Sequence, residues 1–450
     1  MNRKNSRRQF IKASSAFAGI QFLPSGILAN SPNSKLCTAH IGIAGKGKTD
    51  TLSIDADPRT QVVGLCDVDA MHLYGKGKRA EQKAGDTSVA KFGENVKRFR
   101  DYREMFREMG DKIDAVSVST PDHTHYPATL AAMELGKHVY TQKPLTNNIA
   151  EARHLMEVAR EKKVATQMGT QNKSSLSYRT ATHFIRDGVI GKVSKVYVWS
   201  YKDWGHDGAP YTGEDKVPDF LDWNLWLGTA PEHSFLEGKY HPSNWRRIID
   251  FGCGTLGDMG IHIFDTPFGS LGLKAPKWVK TECRQPNQFS LPLKSKVSYG
   301  FDPTEFTTND FEWHWFDGAY APPKDEPDLE VPEGQTLPTQ GAMFIGEKGK
   351  MLLRHVGGPQ FFPRSIYETL VKPDLPKKVS HYGQWIDTIY GSSEKPSANF
   401  DYAAPLTETV LLGCVAGRFP GETLEWDTEK AEFPNFPDAN QFVKRELRKF

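Results

Sequence analysis

The residues able to do chemistry sit in a few short segments. Asp258 and His262, within LGDMGIHIFD, are four positions apart, which on a helix brings a carboxylate and an imidazole onto one face. Imidazole is neutral for much of the time near neutral pH, so His262 can accept a hydroxyl proton while Asp258 orients the ring or binds another hydroxyl. A surface ion pair is the plainer reading of the same spacing. Lys143, within YTQKPLT, offers a fixed ammonium that can stabilise a developing alkoxide and help relay its proton. Taken alone, it reads as a surface lysine ahead of a proline. His123-Thr124-His125, next to Asp122, has a spacing compatible with metal ligation. Placed directly after a strand and Pro121, these residues read better as the wall of a ligand cleft, and no metal is expected.

These segments need elements that bring them together, and the first half of the chain supplies a regular alternation. HIGIA (His40 to Ala44) is an apolar run stopped by Gly45-Lys46-Gly47, and TQVVGLCDV follows about ten residues later. KIDAVSVST reads as a buried strand closed by Pro121, HYPATLAAMELG as a helix ending at Gly136, KHVYTQ as a strand, NIAEARHLMEVAREKK as an amphipathic helix, and VATQMG as a further strand. Strands alternating with helices predict an α/β fold, a doubly wound parallel sheet from Lys35 to Met168 (residues 35–168). Ligands of such sheets lie beyond the carboxyl ends of the strands, and Thr120, Pro121, His123, His125 and Lys143 all fall there. Gly45, Lys46 and Gly47 occupy the first strand-to-helix turn, where bare backbone and a helix N-terminus suit a pyrophosphate. The G-x-G-x-x-G pattern counted from Gly45 is incomplete, with Asp50 in place of the third glycine. Asp67 ends the second strand, where its carboxylate can accept hydrogen bonds from ribose hydroxyls and would repel a 2′-phosphate. NAD is the expected cofactor, with NADP left open by Lys48 and nearby basic residues.

STPDHTHYP, YTQKPLT and LGDMGIHIFD, together with LDWNLWLGTAP, YHPSNWR, FIGEKGKMLL and PLTETVLLG, resemble the glucose-fructose oxidoreductase and inositol dehydrogenase (Gfo/Idh/MocA) family across nearly all of the chain after its N-terminal segment, and most closely its exported members. The resemblance implies an N-terminal Rossmann domain for a nicotinamide cofactor and a C-terminal α+β domain (residues 169–440) with a mainly antiparallel sheet. It implies sugars, inositols or their derivatives as substrates, catalytic roles for Lys143, Asp258 and His262, and a sheet face able to support a homo-oligomer. Lys143 matches the lysine of the family's Glu-Lys-Pro motif, but Gln142 replaces the glutamate.

Beyond Met168 the alternation stops. KVSKVYVWSY, KWVKTECR, TNDFEWHWF and GKMLLRHV read as strands, YRTATHFIRDGVIG as a helix, and HYGQWIDTIYG and PLTETVLLGCVA as helices that brace the domain interface. Asp203 to Arg247 is long, irregular and rich in aromatic residues, as functional loops often are. Asn172, Tyr240, Trp245, Arg246 and His262 are the expected substrate contacts, the aromatic rings stacking on a sugar and Arg246 binding a hydroxyl or carboxylate. Packing between the domains is the competing reading of the aromatic residues.

Ser6-Arg7-Arg8-Gln9-Phe10-Ile11-Lys12, followed by a short apolar run, resembles a twin-arginine signal, so residues 1–29 are read as a signal peptide and the twin-arginine machinery as an export partner. Removing them takes away five basic residues and no acid, changing the formal net charge from +2 to −3. No basic arm remains to suggest nucleic acid. Five scattered cysteines without C-x-x-C spacing indicate neither a disulfide framework nor a zinc knuckle. An enzyme exported in folded form to the periplasm is expected to carry its NAD with it and to restore it within each cycle. Two cycles meet that condition: paired oxidation and reduction of two compounds, and a redox-neutral glycosidase or lyase acting through a transient 3-keto sugar. A non-catalytic sugar-binding protein is a further alternative.

Overall fold

The first sheet is built from strands too short and too apolar to face water. All four residues of Ala115–Val118 are buried, as expected for a parallel strand covered on both faces. The computed structural model describes residues 35–74, 92–93, 95–375 and 377–450. The signal-like segment at residues 1–29 lies outside them. Six strands, β1 (Leu36–Ile41), β2 (Thr60–Cys66), β3 (Lys97–Phe99), β4 (Ala115–Val118), β5 (His138–Thr141) and β6 (Thr166–Met168), pair in the order β3-β2-β1-β4-β5-β6. Every pairing is parallel. This is the strand order of Rossmann domains, in which the crevice opens where the order reverses, between β1 and β4. Their carboxyl ends are in register, Ile41 opposite Val118 and Val118 opposite Thr141, so the turns that follow them converge on one edge.

The second sheet has eight strands: β7 (Val193–Ser200), β8 (Trp278–Glu282), β9 (Lys296–Gly300), β10 (Thr307–Asp317), β11 (Gln340–Gly346), β12 (Gly349–Arg354), β13 (Pro359–Phe362) and β14 (Thr423–Glu425). They run in the order β13-β12-β11-β7-β10-β9-β8-β14. Only β7 and β10 pair in parallel, so the sheet is mainly antiparallel. Trp313 and Trp315 alternate along β10 into the core against Phe264, with ring centroids 4.9 and 5.5 Å away.

Two late helices return to the first sheet. In His381–Ile389, Trp385 and Ile386 are buried with Leu36, Ile54, Ala115 and Tyr140. Phe400–Ala416 packs along Ile149–Lys162, where Arg153 of the earlier helix meets Glu408 of the later one at 2.6 Å. The sequence pattern starts this later helix at Pro405, whereas the structure starts it five residues sooner. Asn399 caps it by accepting from the Asp401 amide at 3.0 Å, and Pro405 sits in the second turn, where its missing N–H removes one backbone bond. Among the described residues, no helix is long and apolar enough to cross a membrane.

The aromatic stretch from Asp203 to Arg247 folds into a small core of its own, with Leu221, Trp226, Phe235, Tyr240 and Trp245 buried against Phe251. The short helix Trp223–Leu227 inside it is capped by Asp222, whose carboxylate accepts from the Leu225 amide at 2.9 Å.

Candidate active site

A cleft of about 940 Å³ runs from the carboxyl ends of β1, β2, β4 and β5 to the edge of the second sheet. At one end lies the glycine turn, in a register different from the one read above. Gly42, directly after β1, has φ +77°, and a Cβ there would lie 2.7 Å from the Ser119 carbonyl oxygen. A Cβ on Gly47 would collide with the Gly42 carbonyl oxygen. The fingerprint is therefore Gly42-x-Ala44-x-x-Gly47, with Gly47 as the glycine that lets helix and strand approach. Asp50 is not the replacement for that glycine; it belongs to the next turn of Lys46–Asp55. Gly45 and Lys46 line the cleft, whereas Gly47 supports the turn from behind. Gly45 precedes the first helical residue and makes no side-chain cap, and this uncapped helix N-terminus borders the cleft at Gly45, Lys46 and Lys48.

Asp67, at the end of β2, lines the cleft and is fixed by the Ile43 amide at 3.0 Å and by His72 at 3.2 Å. Burial alone would raise its carboxyl, but His72 and the neighbouring amides hold it below the usual range. Thr120 and Pro121 line the middle of the cleft, and the buried Thr120 Oγ1 has no hydrogen-bond partner among the described residues. A pinched glycine turn, an uncapped helix N-terminus, a carboxylate at β2 and an orphaned hydroxyl at β4 fit a dinucleotide: pyrophosphate at the turn, ribose at Asp67, nicotinamide toward Thr120.

Lys143, Asp258 and His262 meet at the far end of the same cleft. Lys143 Nζ donates to Asp258 Oδ1 at 2.8 Å and to the Asp258 carbonyl at 2.7 Å. Arg246 Nε stands 3.2 Å from the same Oδ1, and Lys202 Nζ 3.6 Å from Oδ2. Burial pushes the Asp258 carboxyl up, yet Lys143, Arg246 and Lys202 together hold it well below the usual carboxylate range, so it stays ionised. Asp258 and His262 do not share a regular α-helix: Leu256–Gly260 forms a π-turn that leads into Ile261–Ile263. Both nevertheless line the cleft. Burial, then the Lys143 charge, keep His262 neutral, and its Nδ1 has no hydrogen-bond partner among the described residues.

Several expected contacts stand elsewhere. His123 and His125 are buried behind the wall rather than in it. His123 Nε2 lies 2.9 Å from the Trp226 carbonyl. His125 sits between the carbonyls of Pro144 and Thr120 at 2.8 Å from each, a neutral ring donating to one of them. Burial lowers their pKa values to about 3 and about 4, so they act as neutral struts holding the ends of β4 and β5. Tyr240 is 2% exposed and does not reach the cleft; its ring stacks on Trp223 at 5.8 Å, because the aromatic loop buries its own apolar surface first. Asn172 stands behind His355, with Nδ2 3.5 Å from the ring Nδ1, rather than in the cleft. Trp245 and Arg246 do line it, with the guanidinium 4.4 Å from the Trp245 ring centroid.

Sequence reasoning missed Lys202 and His355 and named Asp122 only as a neighbour of the two histidines, yet all three line the cleft. Lys202 and His355 stand just past the ends of β7 and β12, a position that could have flagged them once those strands were drawn. His355 lies 5.7 Å from His262 between ring centroids, and its Nδ1 is 3.1 Å from the Tyr178 hydroxyl. Gln142 is explained by its neighbour: its Nε2 donates to Asp50 Oδ2 at 2.7 Å, where a glutamate would set one carboxylate against another.

Residues 39–170 match the family model described as an oxidoreductase family with an NAD-binding Rossmann fold, and residues 179–302 match the same family's C-terminal alpha/beta domain. These matches take in more than half of the chain, which therefore belongs to the Gfo/Idh/MocA oxidoreductase family, with an NAD-binding Rossmann domain. Among its relatives is scyllo-inositol 2-dehydrogenase (NAD(+)) of Bacillus subtilis, 35% identical over 133 residues, which are 29% of this chain and 35% of that one. Another is D-glucoside 3-dehydrogenase of Escherichia coli, 24% identical over 267 residues, 57% of this chain and 61% of that one. The alignments to the first two curated relatives span only 37% and 35% of their lengths. The WlbA dehydrogenase of Chromobacterium violaceum, solved with NADH and UDP-GlcNAcA, shares the fold at a TM-score of 0.60 and 13% identity, over 91% of this chain and 99% of that one.

Proposed function

We propose that this chain is an NAD-dependent oxidoreductase acting on a hydroxyl of a sugar, polyol or sugar derivative. The observation that carries the reading is the convergence of Lys143, Asp258 and His262 in the cleft that holds the Gly42–Gly47 turn and Asp67. When bound, the dinucleotide supplies a hydride acceptor at its nicotinamide. Asp258 fixes the Lys143 ammonium, which stabilises negative charge developing on the substrate oxygen. His262, held neutral, takes the hydroxyl proton. Relatives that act on an inositol and a glucoside support a polyhydroxylated substrate.

His355 favours a second reading. Its neutral ring gives the cleft a second proton acceptor, suited to removing a C–H proton made acidic by oxidation of the adjacent carbon. Departure of the glycosidic substituent, addition of water and return of the hydride would then complete a redox-neutral cleavage.

The Ser6-to-Lys12 pattern supports export to the periplasm by the twin-arginine route, with NAD bound before departure, held tightly and restored in each cycle. The test is to denature the purified protein and measure the nucleotide released, then to incubate the native protein with sugars and glycosides in deuterium oxide. A product oxidised at one carbon supports dehydrogenation, and deuterium beside the oxidised carbon together with glycoside cleavage supports elimination. A protein that neither carries nor takes up NAD contradicts both.

A further inference from the structure

Charge is not balanced at the substrate end of the cleft. Lys143, Lys202 and Arg246 all face one carboxylate, Asp258, at 2.8, 3.6 and 3.2 Å. Among the described residues, no other carboxylate lies within ion-pair distance of any of the three. Asp122 lines the same space, but burial pushes its carboxyl up to about 7, so near neutral pH it supplies only about half of one of the two missing negative charges. His262 and His355 are held neutral and add no charge. The aromatic neighbours Trp204 and Trp245, 5.5 and 4.4 Å from the Arg246 guanidinium, keep it oriented without neutralising it.

Partly buried cations without counterions are costly, and the protein supplies only one anion to three of them. Asp258 and Lys143 form the shortest pair and serve the reacting hydroxyl. Lys202 and Arg246 are left over. Arg246 spends Nε on Asp258 and Nη1 on the Ser243 carbonyl, while its Nη2 has no hydrogen bond to the described protein. Lys202 is 36% exposed and extends from the end of β7 into the same opening. An ammonium and a free guanidinium N–H facing one opening suit a substrate oxyanion.

We propose that the substrate is an anionic sugar, its negative group gripped by Lys202 and Arg246 while its hydroxyl meets Lys143 and His262. This rests on the oxidoreductase reading above and deepens it. A carboxylate, as in a uronic acid, and a sugar phosphate share the chemistry that this pair recognises.

The experiment measures binding by calorimetry to the NAD-loaded full chain, using matched methyl glycosides of the gluco, galacto and manno series as neutral sugar, uronate and phosphate ester. Reduction of the bound nicotinamide is followed in parallel by absorbance. An anionic member should bind about tenfold more tightly than its neutral partner, and this preference should weaken as salt is added. Lys202→Gln should erase most of the preference, read as the ratio of anionic to neutral affinity within that variant, and Lys202→Arg should keep it. A stronger response to the ester than to the uronate assigns phosphate as the anionic group, and the reverse assigns carboxylate. Equal or tighter binding of the neutral partners, or no binding by any anionic member, overturns the proposal. Tight acid binding without nicotinamide reduction would leave the proposal standing and remove the oxidoreductase reading; reduction by neutral sugars without acid preference would do the opposite.

Discussion

Replacing Gln142 by glutamate changes one nitrogen for one oxygen and reverses the electrostatics of a buried cluster. In the native chain, Asp50 is fully buried and accepts from Gln142 Nε2 at 2.7 Å, Ser119 Oγ at 2.8 Å and the Tyr382 hydroxyl at 2.7 Å. Gln142→Glu turns one of these donors into a second carboxylate. Two unit charges about 3 Å apart repel by about 5 kcal/mol at an effective dielectric of about 20. Lys46, 3.2 Å from Asp50 but 42% exposed, offsets only part of this because water screens it. Taking up one proton relieves most of the remainder, leaving a net loss of about 2–4 kcal/mol at mildly alkaline pH. The sign follows from linkage. The added carboxyl is held protonated to a higher pH in the folded chain than in the unfolded one, where it titrates at about 4.3. The penalty is therefore small below that value and grows as pH rises above it. Urea denaturation of Gln142→Glu at a series of pH values reads this directly, and Asp50→Asn added to it should restore stability at alkaline pH. A variant as stable as the parent at alkaline pH, or a penalty that does not change with pH, would refute the reasoning.

Lys143→Ala should lower nicotinamide reduction by about 10²–10⁴-fold while leaving nucleotide content unchanged, as measured by single-turnover absorbance and by release on denaturation. Gly47→Ala, whose Cβ would collide with the Gly42 carbonyl, should lose about 2–4 kcal/mol of stability and most NAD affinity, measured by denaturation and nucleotide titration. Asp122 has a folded pKa of about 7, raised by burial, so the stability it permits is complete below the unfolded carboxylate value and is lost as pH rises toward 7. Asp122→Asn should flatten the stability profile across that window in denaturation runs. Tyr240→Ala should destabilise the aromatic loop by about 3–5 kcal/mol, whereas Tyr240→Phe should leave the KM for sugar unchanged, since the ring packs on Trp223 rather than facing the cleft.

The parallel sheet was legible because β1, β4, β5 and β6 read as apolar runs closed by glycine or proline and β2 as one closed by Asp67; β3, Lys97–Phe99 with Lys97 exposed, carries no such pattern. The segments following β4 and β5 could be named as cleft walls for the same reason. The glycine register was harder: GIAGKG offers three glycines, and only the close approach of Gly42 to Ser119, from a strand far along the chain, shows which of them opens the fingerprint. His123 and His125 illustrate a second limit, since a strand-end position does not reveal whether a ring turns toward the ligand or toward a backbone carbonyl. Tyr240 was misplaced because the stretch from Asp203 to Arg247 buries its apolar surface internally. Lys202 and His355 follow β7 and β12, whose segments did read as strands; what the sequence did not show is that those two strand ends face the same cleft. Strands β9, β11, β13 and β14 escaped because a short run in an antiparallel sheet takes its identity from partners distant in sequence.

The most direct test of the central claim is a crystal structure of the full chain with NAD and a bound sugar. The account predicts the pyrophosphate on the Gly42–Gly47 turn, the nicotinamide against Thr120 and Pro121, and one sugar carbon in van der Waals contact with that ring while its oxygen touches Lys143 and His262. A nicotinamide directed away from Lys143, or a sugar bound outside the cleft, would contradict it.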